Sequence, residues 1–189
     1  MEKVFGMEKR QLLKKSVVDL KQEQKEAQTE FKDAMTQLKE LYAFKGGKLE
    51  DTYNKLKASY DDAKSQADEV HKRIANMEGI AKSMFSEWDK EIKQYSNPTF
   101  AQNSRQQLND TKSRYSQLTS TVKASEQTMQ PVLTQLNDHV LYLKHNLNAA
   151  AIGSLKNEAG SIQTQIEEVV RRMNDSIAEA DAFINSLPQ

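Results

Sequence analysis

The chain has 189 residues, of which 29% are charged and 7% aromatic, and its 27 basic side chains balance its 27 acidic ones. A formal net charge of zero gives no general attraction to nucleic acid or to anionic lipid. The absence of cysteine excludes disulfides, a thiolate nucleophile and cysteine metal sites. Scarce glycine and proline are typical of long helices, so we expect a single all-helical domain over residues 1–189.

The sequence gives no indication of membrane insertion or of secretion. No apolar run approaches the roughly 20 residues that a membrane span needs. The opening residues, MEKVFGMEKR, are charged and lack the apolar core of a signal peptide. We therefore expect neither a transmembrane segment nor a signal peptide in the sequence as given.

Apolar residues recur at alternating steps of four and three, a pattern that predicts helices with one buried seam each. The first two helices are predicted over residues 8–45 and 48–95. The AFKGGKLE stretch separates them, with Gly46 as a positive-φ helix cap and Glu50 and Asp51 in the next first turn. The first seam comprises Leu13, Val17, Leu20, Gln24, Ala27, Phe31, Ala34, Leu38 and Leu41, and the second comprises Leu49, Tyr53, Leu56, Tyr60, Ala63, Ala67, Val70, Ile74, Met77, Ala81, Met84 and Trp88.

The third helix is predicted over residues 98–146. Asn97 suits a cap before Pro98 at the first helical position, and a capping box of Thr99 and Gln102 is the alternative. An extra step of four beside Pro131 predicts a kink or local unwinding, and a break into two helices is the alternative. The third seam comprises Leu108, Thr111, Tyr115, Leu118, Val122, Ser125, Met129, Leu133, Leu136, Val140, Leu143 and Leu147.

The fourth helix is predicted over residues 149–187, with a seam of Ile152, Leu155, Ala159, Ile162, Ile166, Val169, Met173, Ser176, Ala180, Phe183 and Leu187. Four long helices joined by short loops predict an elongated, antiparallel, up-down-up-down four-helix bundle or coiled coil. A dimer of opened helical hairpins is the alternative. Residues 1–45 carry 10 basic and 8 acidic groups and residues 149–189 carry 3 and 6, which favours side-by-side packing of the first and last helices.

The residues that could carry chemistry do not form a recognisable constellation. Di-iron bundles need a Glu-x-x-His motif on each of two helices, whereas this chain has one Asp68-x-x-His71. We expect His71 to flank the core or face solvent and His139 to lie at the core boundary. The KGGK segment lacks the spacing of a phosphate-binding loop. We therefore expect no catalytic residue, cofactor or metal; a metal-binding helical bundle is the remaining alternative.

One end of the predicted bundle carries two loops, around Gly46–Gly47 and around Asn146–Asn148, while the termini and the Asn97–Pro98 loop lie at the other. Loops presented by a rigid scaffold are common interaction sites. His145 and Asn146 also suit the end of a helix, and Asn148 suits a left-handed cap or the start of the next helix. The candidate partner-binding tip comprises Tyr42, Phe44, Lys45, Lys48, Tyr142, His145, Asn146 and Asn148.

Several stretches resemble an uncharacterised domain-of-unknown-function family of Gram-negative bacteria. They are VFGMEKRQLL, LYAFKGGKLEDTYNKL, FSEWDKEIKQYSNPT, LYLKHNLNAAAIGSL and IAEADAFI, and the resemblance spans essentially the whole chain. The resemblance implies secreted proteins or lipoproteins, hence a periplasmic or envelope-anchored location and a tether through a removed N-terminal signal or lipid. It implies no activity, cofactor or catalytic residue.

Together these observations predict a non-enzymatic envelope protein that binds an unknown protein or cell-wall partner through the tip. Nucleic acid is not an expected partner, because the charge is balanced. The alternative is an oligomeric helical scaffold, or a membrane-associated structural protein, that uses its helix faces. A homo-oligomer is compatible with either function.

Overall fold

Four long helices make up the fold. The computed structural model describes the backbone of residues 2–44 and 46–187, and the side chains of residues 8–44 and 46–187. The helices are α1 (Glu2–Tyr42), α2 (Leu49–Ile92), α3 (Pro98–His145) and α4 (Ala149–Ser186). At 1.5 Å per residue they are about 57 to 72 Å long. The predicted all-helical fold is confirmed; α1 begins six residues earlier than predicted, and the other helix ends lie within three residues of the predicted ones.

The helices are adjacent in cyclic order, α1 to α2 to α3 to α4 and back to α1. Two contacts in each adjacent pair show that the helices are antiparallel, because residues later in one helix contact residues earlier in its neighbour. Lys9 and Asp19 of α1 contact Glu87 and Arg73 of α2. The same opposite order holds for α2 with α3, for α3 with α4 and for α1 with α4. The chain is therefore the predicted up-down-up-down bundle, and it buries its seams within itself rather than as an opened hairpin.

The contact between the first and last helices matches the charge prediction. Lys21 Nζ of α1 donates to Asp181 Oδ1 of α4 at 2.6 Å, and Gln28 Nε2 of α1 donates to Asn174 Oδ1 of α4 at 2.7 Å. Half-exposed pairs of this kind contribute about 0–1 kcal/mol each, so apolar burial dominates the association of the two helices.

The core follows the predicted seams. All nine seam positions of α1 are buried, and Phe31 is among the largest fully buried side chains of the protein. Seam positions that are only half-buried are concentrated toward helix ends, where fewer neighbours cover them. These positions are Leu49, Trp88, Tyr115, Leu147, Leu155, Ala159 and Leu187.

A polar layer interrupts the apolar core. Gln24 of α1, Ser125 of α3 and Ser176 of α4 are completely buried. Gln24 Nε2 donates to Ser176 Oγ at 2.8 Å and more weakly to Ser125 Oγ at 3.4 Å, while Gln24 Oε1 has no hydrogen-bond partner among the described residues. An unpaired buried acceptor is costly, so this layer reduces the stability of the bundle.

The third helix begins and continues in a single piece. Asn97 Oδ1 accepts hydrogen bonds from the backbone N–H groups of Thr99 and Phe100, at 2.9 and 3.3 Å, and Pro98 is the first helical residue. The capping box of Thr99 and Gln102 is therefore not the cap of this helix. Because α3 runs unbroken through Pro131 to His145, the alternative of a break into two helices is wrong. A kink or local unwinding within the continuous helix stays a prediction.

The burial of His139 corrects the sequence analysis, which placed this side chain at the core boundary. His139 is 1% exposed. Its position extends an uninterrupted heptad pattern from Met129 through Val132 and Leu136, while the predicted positions Leu133 and Val140 are buried as well. Beyond Pro131, α3 thus buries two adjacent rows of side chains, and the histidine belongs to the inner surface.

Candidate functional site: the loop-bearing end

The two predicted loops lie at one end of the bundle. Because α1 and α3 are parallel, Tyr42 at the end of α1 and His145 at the end of α3 reach the same end, where α2 and α4 begin. A direct contact between Tyr42 and His139 ties α1 to α3 there. We call residues 42–49 and 141–149 the loop-bearing end; Lys45 lies outside the described residues.

The loop between α3 and α4 is held by two asparagines. Asn146 Nδ2 donates to the carbonyl of Tyr142 at 3.0 Å, and Asn148 Oδ1 accepts from the backbone N–H of Ala151 at 2.9 Å. Asn146 thus caps the end of α3, and Asn148 caps the start of α4 with an extended backbone, so the left-handed alternative is not observed. These interactions orient the loop, and they account for both amides without a partner.

The loop between α1 and α2 turns at its second glycine. Gly47 has φ of +101°, a conformation that favours glycine, whereas Gly46 at +159° is close to extended backbone. The predicted positive φ at Gly46 is therefore confirmed, and Gly47 has a positive φ as well. Lys48 follows with an exposed side chain, and Glu50 and Asp51 occupy the first turn of α2, where acidic groups are favourable.

A chain of hydrogen bonds lies directly beneath the loops. The Tyr42 hydroxyl oxygen is 2.6 Å from His139 Nδ1, and His139 Nε2 is 3.2 Å from Glu158 Oε2. The rings of Tyr42 and His139 meet edge to face, with centroids 6.1 Å apart. The three side chains belong to α1, α3 and α4, so the chain joins three of the four helices.

The chemistry of these groups assigns the protons. Ionised Glu158 can only accept a hydrogen bond, so His139 Nε2 carries the ring proton and donates a hydrogen bond to the carboxylate. In the neutral ring Nδ1 is then an acceptor, and the Tyr42 hydroxyl donates to it. Burial, and secondarily the charge of Glu158, raise the pKa of the Tyr42 phenol, which keeps this donor protonated. Because a raised pKa disfavours the phenolate, the arrangement is suited to holding helices together rather than to supplying a nucleophile.

The surface above this chain is partly apolar. Leu141 is 54% exposed and Tyr142 is 44% exposed, and they are adjacent members of a small group of exposed large hydrophobic side chains in the described part of the chain. Lys48 and His145 are also exposed, while Phe44 is half-buried. Asn146 and Asn148 are exposed as well, but their side chains cap helices. The structure therefore distinguishes an exposed set of Lys48, Tyr142 and His145 from a supporting set of Tyr42, Asn146 and Asn148.

Leu141, His139 and Glu158 were missed in the sequence analysis. A signal for Leu141 was available, because Leu141, Tyr142 and Leu143 are consecutive and a helix can turn only one of them fully into its seam. Glu158 carried no such signal, since its role depends on a contact with a residue on another helix.

Metal ligands do not cluster in the part of the chain that the structure describes, where no group of three or more His, Asp or Glu side chains could hold an ion. His71 is exposed, as expected, and its Nδ1 lies 2.9 Å from Glu126 Oε1 across the α2–α3 interface. Over the described residues, no helix combines the length and the apolar character required to cross a bilayer.

The fold and this end define the class of the protein: a long antiparallel four-helix bundle with a braced, partly apolar loop-bearing end. Residues 1–187 match the family described as Protein of unknown function (DUF2959), and the chain belongs to that family. No curated protein and no solved structure matches the chain.

Proposed function

We propose that the protein is a non-enzymatic envelope protein that binds a protein or cell-wall partner through its loop-bearing end. The observation that carries the proposal is the exposure of Leu141 and Tyr142 next to Lys48 and His145. Tyrosine is among the residues that contribute most to binding interfaces, because it combines apolar area with a hydroxyl and few rotatable bonds.

The hydrogen bonds within this end support the proposal. The caps made by Asn146 and Asn148 and the hydrogen-bond chain through His139 hold the loop and three helices in place. A surface that is already ordered loses less conformational entropy when it binds, so more of the contact energy appears as affinity.

The location in the envelope rests on the family resemblance to secreted proteins and lipoproteins. With the start of α1 at the opposite end from the loops, a lipid tether before α1 would hold the binding surface about 60 Å from the bilayer. The bundle would then act as a spacer that presents its loop-bearing end to a partner beyond the membrane surface.

Affinity capture with matched variants tests the proposal. The tip variant combines Leu141→Ser with Tyr142→Ser. The control combines Phe100→Ser with Tyr95→Ser, because these side chains are exposed to a similar degree, 58% and 49%, near the opposite end. We expect the tip variant to lose at least one envelope partner that wild type and control retain. Identical partners for all three proteins would refute the proposal.

A second candidate function is an oligomeric scaffold that uses a helix face. Exposed Leu12 on α1 lines a groove with Ala75, Gly79 and Ile80 of α2, and no described residue lies within 4 Å of the position of a Cβ at Gly79. A neighbouring helix could approach this face closely. Light scattering that reports only monomers at high protein concentration would remove this candidate, and a concentration-dependent dimer that Leu12→Ser abolishes would support it.

A further inference from the structure

A groove runs between α2 and α3, separate from the loop-bearing end. Its volume is about 390 Å³. The floor comprises Tyr60 and Ala67 of α2 and Met129 and Leu133 of α3, all of which are almost completely buried. Across one end of the groove, His71 donates to Glu126 and links the two helices. The groove therefore has an apolar floor and is bounded at one end by the His71–Glu126 contact.

The two walls of the groove differ in chemistry. The α2 wall carries Lys64 and Asp68, both exposed, and within residues 46–187 neither makes a hydrogen bond or an ion pair. Asp68 does contribute to raising the pKa of nearby His71, after the larger effect of Glu126. The α3 wall carries no charge along Gln130, Thr134 and Asn137 and offers amide and hydroxyl groups instead.

The uncharged wall is suited to an extended peptide. Side-chain amides donate and accept at once, so they can pair with the free N–H and C=O groups of an extended main chain. A helical ligand has no such free groups, because its backbone is already hydrogen-bonded. Gln130 and Asn137 are seven residues apart, about 10.5 Å along α3, which is close to the length of three extended residues.

The charged wall sets a pattern of side chains. Lys64 and Asp68 are separated by one helical turn, about 6 Å along α2. In an extended peptide, residues i and i+2 point the same way and are roughly 6.6 Å apart, while residue i+1 points to the opposite side. An acidic and a basic residue at i and i+2 can therefore face the two rim charges, and residue i+1 then points toward the floor.

We propose that the α2–α3 groove binds an extended peptide segment with an acidic–apolar–basic sequence of side chains. Lys64 pairs with the acidic residue, Asp68 pairs with the basic residue, and the apolar residue packs on Met129 and Leu133. Gln130 and Asn137 bind the peptide backbone. The site is distinct from the loop-bearing end and does not depend on the function proposed for it.

The probe for this site is a fluorescein-labelled peptide, acetyl-GSELKSG-amide, and the comparison peptide is acetyl-GSELESG-amide. Fluorescence anisotropy at low salt gives the affinity of each. We expect wild type to bind the first peptide about fivefold or more tightly than the second, because the second places an acid against Asp68.

The Asp68→Lys variant is the decisive test, because it should reverse this preference whichever way the peptide runs. Asp33→Lys is the matched control: Asp33 is also exposed but lies on α1, away from the groove, and this variant should keep the wild-type preference. Amide chemical-shift changes on adding GSELKSG should map to the α2–α3 groove. An unchanged preference in Asp68→Lys, shifts that map elsewhere, or no saturable binding to wild type would each overturn the proposal.

Discussion

Replacing Tyr42 with phenylalanine removes a single oxygen and tests whether the buried histidine holds the loop-bearing end together. His139 is 1% exposed, so water cannot replace the hydroxyl that donates to its Nδ1. A buried acceptor that loses its donor costs about 1–3 kcal/mol. Tyr42 itself is half-buried, and losing its hydroxyl offsets part of that cost. We expect Tyr42→Phe to lower the free energy of unfolding by about 1–2 kcal/mol.

Urea unfolding followed by circular dichroism measures this change, and a thermal melt should show a midpoint lower by about 3–6 °C. Tyr142→Phe is the control, because this exposed hydroxyl has no partner among the described residues and its loss should have no effect. In a His139→Leu background, Tyr42→Phe should cost nothing, since the acceptor has gone. A Tyr42→Phe variant within about 0.3 kcal/mol of wild type would refute the reasoning.

Three further predictions concern other parts of the bundle. Gln24→Leu should leave the free energy of unfolding unchanged or raise it by up to about 2 kcal/mol, because it removes an unpaired buried acceptor; a loss above about 1 kcal/mol in urea unfolding would contradict this. Glu126 raises the pKa of His71, so Glu126→Gln should lower that pKa in an NMR titration, and an unchanged value would contradict the pairing. The stabilisation from this pair should be complete below the ordinary histidine pKa of about 6.5 and lost as pH rises through the raised value of the folded protein. Gly47→Ala should lower the thermal midpoint, at a cost of about 1–2 kcal/mol for a side chain at φ of +101°, whereas Gly79→Ala in a helix should not.

The helices and their buried faces could be predicted because they depend on local spacing. Alternating steps of four and three place one row of side chains on one face of a helix, and every predicted position in α1 is buried. The cap at Asn97 could also be predicted, because the residue types that cap free backbone N–H groups depend on the local sequence.

The buried positions of α3 after Pro131 could not be predicted from the spacing alone. Val132 and Leu133 are both apolar, so two heptad registers fit the residues after Pro131 equally well. The register that includes Leu133 places Val140 in the seam and His139 beside it, whereas the structure buries both side chains. A polar residue at such a position is stabilised only by its partners, here Tyr42 and Glu158, and these lie far away in the chain.

The sequence predicts which end of the bundle carries the candidate site, but not the contacts that its residues make. Up-down-up-down topology brings the Gly46–Gly47 and Asn146–Asn148 loops together, and the structure has that topology. Which tip residues support the fold and which face solvent depends on hydrogen bonds across helices and within the α3–α4 loop. The groove between α2 and α3 was not anticipated at all, because its walls come from two helices whose facing rows are mostly polar.

Site-specific photo-crosslinking in the native host tests whether the loop-bearing end binds the partner of this protein. A benzophenone amino acid replaces Tyr142 in one variant and Tyr95, similarly exposed near the opposite end, in another. We expect a defined adduct with an envelope protein or cell-wall fragment from position 142 that position 95 does not give. No adduct at position 142, or the same adducts from both positions, would show that the partner does not bind at the loop-bearing end.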